Sequence, residues 1–372
     1  MSLAPAAQVG DPVAAIATPA LVIDLDALER NIARMAAYAR EHGMRLRPHA
    51  KTHKCAEIAR RQIAAGAVGV CVQKLSEAQA LAEAGVADLY ISNEVVDAGK
   101  LAELAALAAR ARLAIAVDSG LGVDRLAAAL KAAGASVDVF VEVDVGHGRC
   151  GVAPAAAASL AHQVVSHGLR FAGLQAYHGR AQHLRTPAER ESAIRHAVSL
   201  ARAAQASVTS AGIACPLVTG AGTGTFVLEA ASGLYGELQA GSYVFMDRDY
   251  ADNHAAPHAP AFEHALFVKS QVMSAGTSHV VVDAGHKSHA IDSGLPRVHG
   301  RELEFVNGGD EHGILRKHGA APLPALGETV WLIPGHCDPT VNLHEHYVVV
   351  RGGLEAGRVE AVWPIDARGC IR

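Results

Sequence analysis

The chain has 372 residues, half of them hydrophobic and only 4% aromatic, so it can bury a sizeable core of small side chains in one large or two ordinary domains. A formal net charge of −4 excludes the basic surface of a nucleic-acid or anionic-membrane binder. The first residues lack the basic-then-apolar pattern of a signal peptide, no apolar run would span a bilayer, and the six scattered cysteines follow no disulfide framework; a cytoplasmic protein with reduced thiols is expected.

In chain order, an apolar run at residues 21–23 precedes the first helix. A second apolar stretch reads as the end of a strand and leads into Leu46-Arg47-Pro48-His49-Ala50-Lys51-Thr52-His53-Lys54, followed by helical spacing over residues 55–63. Further strands are predicted at 68–72, 88–92, 114–117, 137–143, 171–175, 216–219 and 237–243. Helical patterns fall between most of them, at 76–84, 100–110, 123–133, 154–167 and 187–211. Such alternation without reversal predicts a (β/α)8 barrel over about residues 25–250. A doubly wound sheet would alternate too, but no Gly-x-Gly-x-x-Gly turn follows an early strand.

After about residue 255 the pattern becomes strands alone, at 265–274, 278–283, 329–333, 346–350 and 358–363. This predicts an all-β domain over 255–372, joined by the N-terminal segment 10–24.

Lys51 carries the most information. A lysine just past the first strand of a βα unit points into the mouth of a barrel, where active sites of that fold lie. Its amine can form a Schiff base with an aldehyde, and pyridoxal phosphate is the common aldehyde cofactor of amino-acid enzymes. A solvated surface lysine is the plain alternative. Two glycine-rich stretches, Thr219-Gly220-Ala221-Gly222-Thr223-Gly224-Thr225 and Gly241-Ser242-Tyr243, follow the last two predicted barrel strands. Backbone N–H groups and hydroxyls there suit a phosphate. In Pro334-Gly335-His336-Cys337-Asp338, His336 and Asp338 alternate on what reads as an extended segment, so both can face one way and Cys337 the other. Imidazole and carboxylate together suit Mn²⁺, Mg²⁺ or Zn²⁺.

Barrel, β-domain and lysine motif together resemble the alanine racemase-like, fold type III pyridoxal phosphate enzymes. Arg47-Pro48-His49-Ala50-Lys51-Thr52-His53-Lys54 resembles the branch that holds the D-threonine aldolases and D-serine dehydratases. Motifs in the expected order run from Lys51 to Asp338, so the resemblance covers nearly the whole chain. It implies that Lys51 carries the cofactor and that Arg149, in Asp144-Val145-Gly146-His147-Gly148-Arg149, reaches its phenolic oxygen. It places His178, in Gln175-Ala176-Tyr177-His178, against one cofactor face, with Tyr177 near cofactor or substrate. It puts the neutral Gln239 at the pyridine nitrogen, where relatives have arginine or glutamate. Thr219, Gly222, Thr223, Gly241, Ser242 and Tyr243 complete the implied cofactor contacts. His183, farther along its loop, could accept a proton from a substrate hydroxyl; an ordinary exposed histidine is the alternative.

The aldolases of this branch have His-x-Asp as their metal pair, and the eukaryotic dehydratases His-x-Cys. The pair here implies a metal-dependent aldolase, Mn²⁺ being the first candidate ion, that cleaves D-threonine and related D-β-hydroxy-α-amino acids to glycine and an aldehyde. Dehydration of D-serine or D-threo-3-hydroxyaspartate ranks second, ahead of racemisation or a non-catalytic carrier. The fold implies a homodimer whose subunits share active sites, the contributed strand lying around Asp283-Ala284-Gly285-His286.

Overall fold

Two sheets organise the computed structural model, which describes residues 5–256 and 259–372. The chain enters through β1 (Ala20–Asp24) and passes into a helix, Leu25–Glu41. Asp24 caps that helix by accepting from the Ala27 N–H at 3.1 Å. Leu25, Leu28, Ile32, Met35 and Ala39 form its buried stripe at three- and four-residue spacing.

Eight parallel strands follow: β2 (Arg45–Leu46), β3 (Val70–Val72), β4 (Asp88–Ile91), β5 (Arg112–Val117), β6 (Asp138–Glu142), β7 (Arg170–Ala176), β8 (Val218–Gly220) and β9 (Glu237–Leu238). Their order is β2-β9-β8-β7-β6-β5-β4-β3. The ring closes between β3 and β2 through the Cys71 N–H on the Pro48 carbonyl, 2.8 Å, and a His49–Cys71 bridge. This is the expected α/β barrel. Alternation along each strand sorts its side chains: Val139 and Val141 of β6 pack outward under the helices, while Phe140 and Glu142 take the inner side. On β9 the same rule turns Leu238 outward and leaves Glu237 and Gln239 inward.

The second sheet contains β1 and eight later strands: β10 (Leu266–Ala275), β11 (His279–Val282), β12 (Arg297–Val298), β13 (Leu303–Asn307), β14 (Gly313–Lys317), β15 (Thr329–Ile333), β16 (His346–Arg351) and β17 (Arg358–Pro364). β1 lies between β10, antiparallel, and β16, parallel, in the sheet of the C-terminal strands. A large core cluster fills the seam, joining Leu28, Met35, Tyr243, Phe245, Leu266 and Tyr347. No helix among the described residues is long and apolar enough to cross a membrane.

Several expectations need correction. The first barrel strand is only Arg45–Leu46, and the strand expected at 237–243 ends at Leu238, beyond which Ser242–Val244 turn as a 3-10 helix. Strands β12, β13 and β14 were not foreseen. His336 is extended, but Asp338 stands in the first turn of a short helix, Cys337–Val341. The cause is tertiary: buried Asp247 accepts the Cys337 N–H at 3.0 Å and curls the segment. Cys337 does face away, into the core.

Candidate active site

Pro48 cannot donate to a ladder, and β2 gives way to a 3-10 turn, Ala50–Thr52, that lifts Lys51 into the barrel mouth. His49 caps the turn, its Nδ1 accepting from the Lys51 N–H at 3.4 Å. Burial, then the Lys51 charge, hold the His49 ring well below its ordinary pKa, so it is neutral. Lys51 Nζ is ion-paired to Asp338 Oδ2. Burial favours the neutral amine and the neutral acid, but the mutual attraction wins: Lys51 titrates above its usual range and Asp338 below its own.

The other Asp338 oxygen, Oδ1, is buried without a hydrogen-bond partner and lies 3.9 Å from His336 Nε2. His336 Nδ1 meets Asp292 Oδ2 at 2.7 Å. Against the pull of burial, Asp338 and Asp292 raise the His336 pKa. A carboxylate on the far nitrogen is the usual support of a metal-binding imidazole, fixing the ring and its tautomer. Two free ligand atoms face one another across a gap that one ion spans at ~2.0–2.2 Å from each. The pair fits a divalent metal, with remaining positions for water or substrate.

Beside Lys51 lies a cavity of about 410 Å³, within the ~300–1,000 Å³ of small-molecule sites. Tyr177, Arg149 and Gln239 line it with Gly222, Thr223, Gly241 and Ser242. A Cβ on Gly241 would stand 2.7 Å from the His49 carbonyl, so only glycine fits there, and one on Gly222, 2.5 Å from Gln182 Oε1, would push the Gln182 amide aside. Among the described residues, the N–H groups of Gly222, Thr223, Gly241 and Ser242 have no acceptor. Free donors around the cavity, with the lysine amine beside it, fit pyridoxal phosphate. Gln239 Nε2 donates to Gln175 Oε1 and Thr219 Oγ1, both at 2.8 Å, so the cavity's inner wall is a neutral amide chain. Arg149 reaches the cavity with its guanidinium 5.7 Å from the Tyr177 ring centre and 3.8 Å from Glu142.

Other candidates stand farther back. Thr219 is buried beneath Gln239 and bonds Glu237 at 3.0 Å. The buried Tyr243 hydroxyl accepts from Gln62 at 3.0 Å, so toward the cavity Tyr243 offers backbone alone. His178 stacks on His147 with ring centres 6.2 Å apart, and its buried Nδ1 has no partner. His183 is half exposed and stands against Tyr250, which lines the cavity. Its Nδ1 meets Asp249 at 2.5 Å; burial raises that carboxyl, but His183 and Arg185 outweigh it and hold Asp249 at about 2. The Asp283–His286 segment closes on its own chain, with Asp283 accepting from Thr18 at 2.5 Å and Ser270 at 2.7 Å.

Sequence reasoning missed His49, Asp247, Asp249 and Asp292. His49 shares a motif with Lys51 and was open to notice. The aspartates act across 44 to 90 positions, which residue spacing does not encode.

Residues 23–249 match the family described as "Alanine racemase, N-terminal domain", and residues 265–350 match a family described as a serine dehydratase domain. The chain is 48% identical over 376 residues to a D-threonine aldolase of Arthrobacter sp, covering 100% of this chain and 98% of that protein. It is 42% identical over 372 residues to a 3-hydroxy-D-aspartate aldolase of Paracoccus denitrificans, covering 95% and 92%. The crystal structure of a D-threonine aldolase from Filomicrobium marinum matches it at a TM-score of 0.96 and 47% identity, over 100% of both chains.

Proposed function

Since the chain belongs to the alanine racemase-like family of pyridoxal phosphate enzymes, we propose that it is a metal-dependent aldolase that cleaves D-threonine and related D-β-hydroxy-α-amino acids to glycine and an aldehyde. One observation carries this reading: the amine of Lys51 and the His336–Asp338 pair meet at one point of the barrel mouth.

When bound, pyridoxal phosphate delocalises the negative charge that builds at the α-carbon, and the divalent ion polarises the β-hydroxyl. Lys51 holds the cofactor through its amine. Arg149 offers its phenolic oxygen a charge that cannot be lost. The free N–H groups of Gly222, Thr223, Gly241 and Ser242 would hold its phosphate. Gln239, on the cavity's inner wall, would give the ring nitrogen a neutral partner, and His178, set farther back, would support the ring from one side. His336 and Asp338 hold the ion, Mn²⁺ first among hard and borderline divalent metals. His183 takes the proton leaving the substrate hydroxyl; Asp249 on its Nδ1 leaves Nε2 as the acceptor. His183→Ala then lowers turnover without changing the metal requirement.

Incubation of the purified protein with D-threonine tests the reading. Glycine and acetaldehyde are the expected products; 2-oxobutyrate and ammonia would replace it with dehydration, the second reading, which the match of residues 265–350 favours. We further take the working unit to be a cytoplasmic homodimer, since a barrel mouth of this kind needs a cover to exclude water. The barrel over 25–250 and the β-domain over 255–372 with segment 10–24 divide the labour between cofactor and metal. An active monomer in sedimentation at assay concentration would remove the dimer from this account.

A further inference from the structure

Beyond Arg149 the barrel rim carries a cluster that aldol cleavage does not use. Glu94 follows β4, Asp118 follows β5 and Cys150 lies in the loop after β6; one ligand atom of each lies within 4.8 Å of the other two. The three strands are neighbours in the sheet, so their ends bring these residues to one place. A second observation comes from Glu142, the last residue of β6. It is 3% exposed and its Oε2 has no hydrogen-bond partner; burial, then Glu94 beside it, push its carboxyl up to about 9, against the pull of Arg149. Glu94 Oε1 is buried and unpartnered as well. The Arg149 guanidinium lies 3.8 Å from the other Glu142 oxygen, Oε1. A buried carboxylate oxygen left without donor or cation is costly, and two on adjoining side chains are more so.

We propose that Glu94, Asp118 and Cys150 form a second divalent-cation site, with the buried Glu142 carboxyl behind it, suited to Zn²⁺. One sulfur and two carboxylate oxygens make a donor set that zinc accepts, with a fourth position for water. On binding, an Sγ–Zn bond forms and the thiol proton leaves to solvent; nothing is oxidised or reduced. Asp118 Oδ2 already accepts the Gly151 N–H at 3.2 Å, so the ion ties the loop that carries Arg149 to the ends of β4 and β5. Its work is to brace that loop. It shares no residue with the His336–Asp338 pair.

The test is a Zn²⁺ count on holoenzyme stripped with a chelator, re-equilibrated with Zn²⁺ and desalted. Two ions per chain are expected for the native sequence, and one for each of Cys150→Ser, Glu94→Gln and His336→Ala. Thiol alkylation mapped by mass spectrometry gives a second readout on unaltered protein. At ten times the dissociation constant about one-tenth of the thiol stays free, so Zn²⁺ should slow labelling of Cys150 roughly tenfold. Cys215 and Cys370, the other half-buried thiols, should label as before. A single ion that is lost in His336→Ala and kept in Cys150→Ser overturns the site, as does Cys150 labelling indifferent to Zn²⁺. Either result leaves the aldolase reading standing, because that reading depends on the other pair.

Discussion

The two ends of the barrel are both polar and both hollow, yet they differ in how their charges are matched. At the floor, Arg45, Asp88, Arg112, Asp138, Arg170 and Glu237 are each the first residue of a strand. Arg47 bridges Asp88 at 2.5 Å and Glu237 at 3.3 Å, Arg45 reaches Glu237 at 3.1 Å, and Arg112 spans Asp88 and Asp138 at 3.4 Å. The sign alternates around the ring and every charge has an opposite charge within 3.4 Å, although Glu237 Oε2 accepts no hydrogen bond. At the mouth, Asp338 Oδ1, Glu142 Oε2 and His178 Nδ1 are buried without a partner. The floor hollow, about 470 Å³, is larger than the 410 Å³ at the mouth, so size does not tell the ends apart. Pairing does. An unsatisfied buried group costs ~1–3 kcal/mol, so the mouth is less stable by itself than the floor and is set to gain from ligands.

Substitution at each end should separate activity from stability. Lys51→Ala at the mouth should remove the visible absorbance of bound cofactor and lower turnover by ~10²–10⁴-fold or more. Full turnover in that variant would end the assignment. Arg47→Ala at the floor leaves buried Glu237 to the half-exposed Arg45 and Asp88 to the exposed Arg112, and should cost about 3 kcal/mol in urea unfolding. Its turnover per folded molecule should not change; lost turnover with intact stability would erase the contrast between the ends.

Glu229 sharpens the comparison from beneath the glycine-rich loop. It accepts from Thr225 at 2.8 Å, Thr225 accepts from Gln182 at 2.8 Å, and Gln182 receives the Gly224 N–H at 3.0 Å. Burial pushes its carboxyl up to about 7. An unfolded glutamate ionises near pH ~4.3, so between there and pH 7 the folded state binds more protons and stability falls as pH rises. The loss approaches about 3 kcal/mol above pH 7. Glu229→Gln should flatten this slope in unfolding measured from pH 5 to 8; an unchanged slope would place its origin elsewhere. The smallest effect is expected at Asp292. Asp292→Ala frees the His336 ring and should weaken binding of the proposed ion ~10–100-fold while leaving bound cofactor unaltered. Unchanged Mn²⁺ affinity in a direct titration would make the Asp292 contact incidental.

Legibility in the sequence followed the range of the interactions. The runs that became β4 to β8 were readable because strands buried on both faces must be apolar throughout. Strand β2 has two residues and no pattern to find; its place is set by β9 and the bonds around Pro48. Strands β13 and β14 alternate, but in short segments set among loops. At the site, Lys51, Arg149, His336 and Asp338 were visible because each sits in a compact motif. Asp292 and Asp249 were not, since a carboxylate that orients a histidine 44 or 66 positions away leaves no local trace.

Strand β1 has a consequence for how the chain is made. Val22 pairs with Val348, so β1 waits for a strand 326 positions farther along the chain. Ala20-Leu21-Val22-Ile23, all buried in the finished protein, presents two open edges until β10 arrives and one until β16 does. Contacts this distant in sequence close slowly. A fragment that stops at the end of the barrel would carry this strand bare and should aggregate, although every barrel strand is present. The same stitch anchors the two halves to each other: the segment that enters the barrel helix and the sheet that presents His336 and Asp338 share one strand, so Lys51 and the His336–Asp338 pair are held in register by backbone.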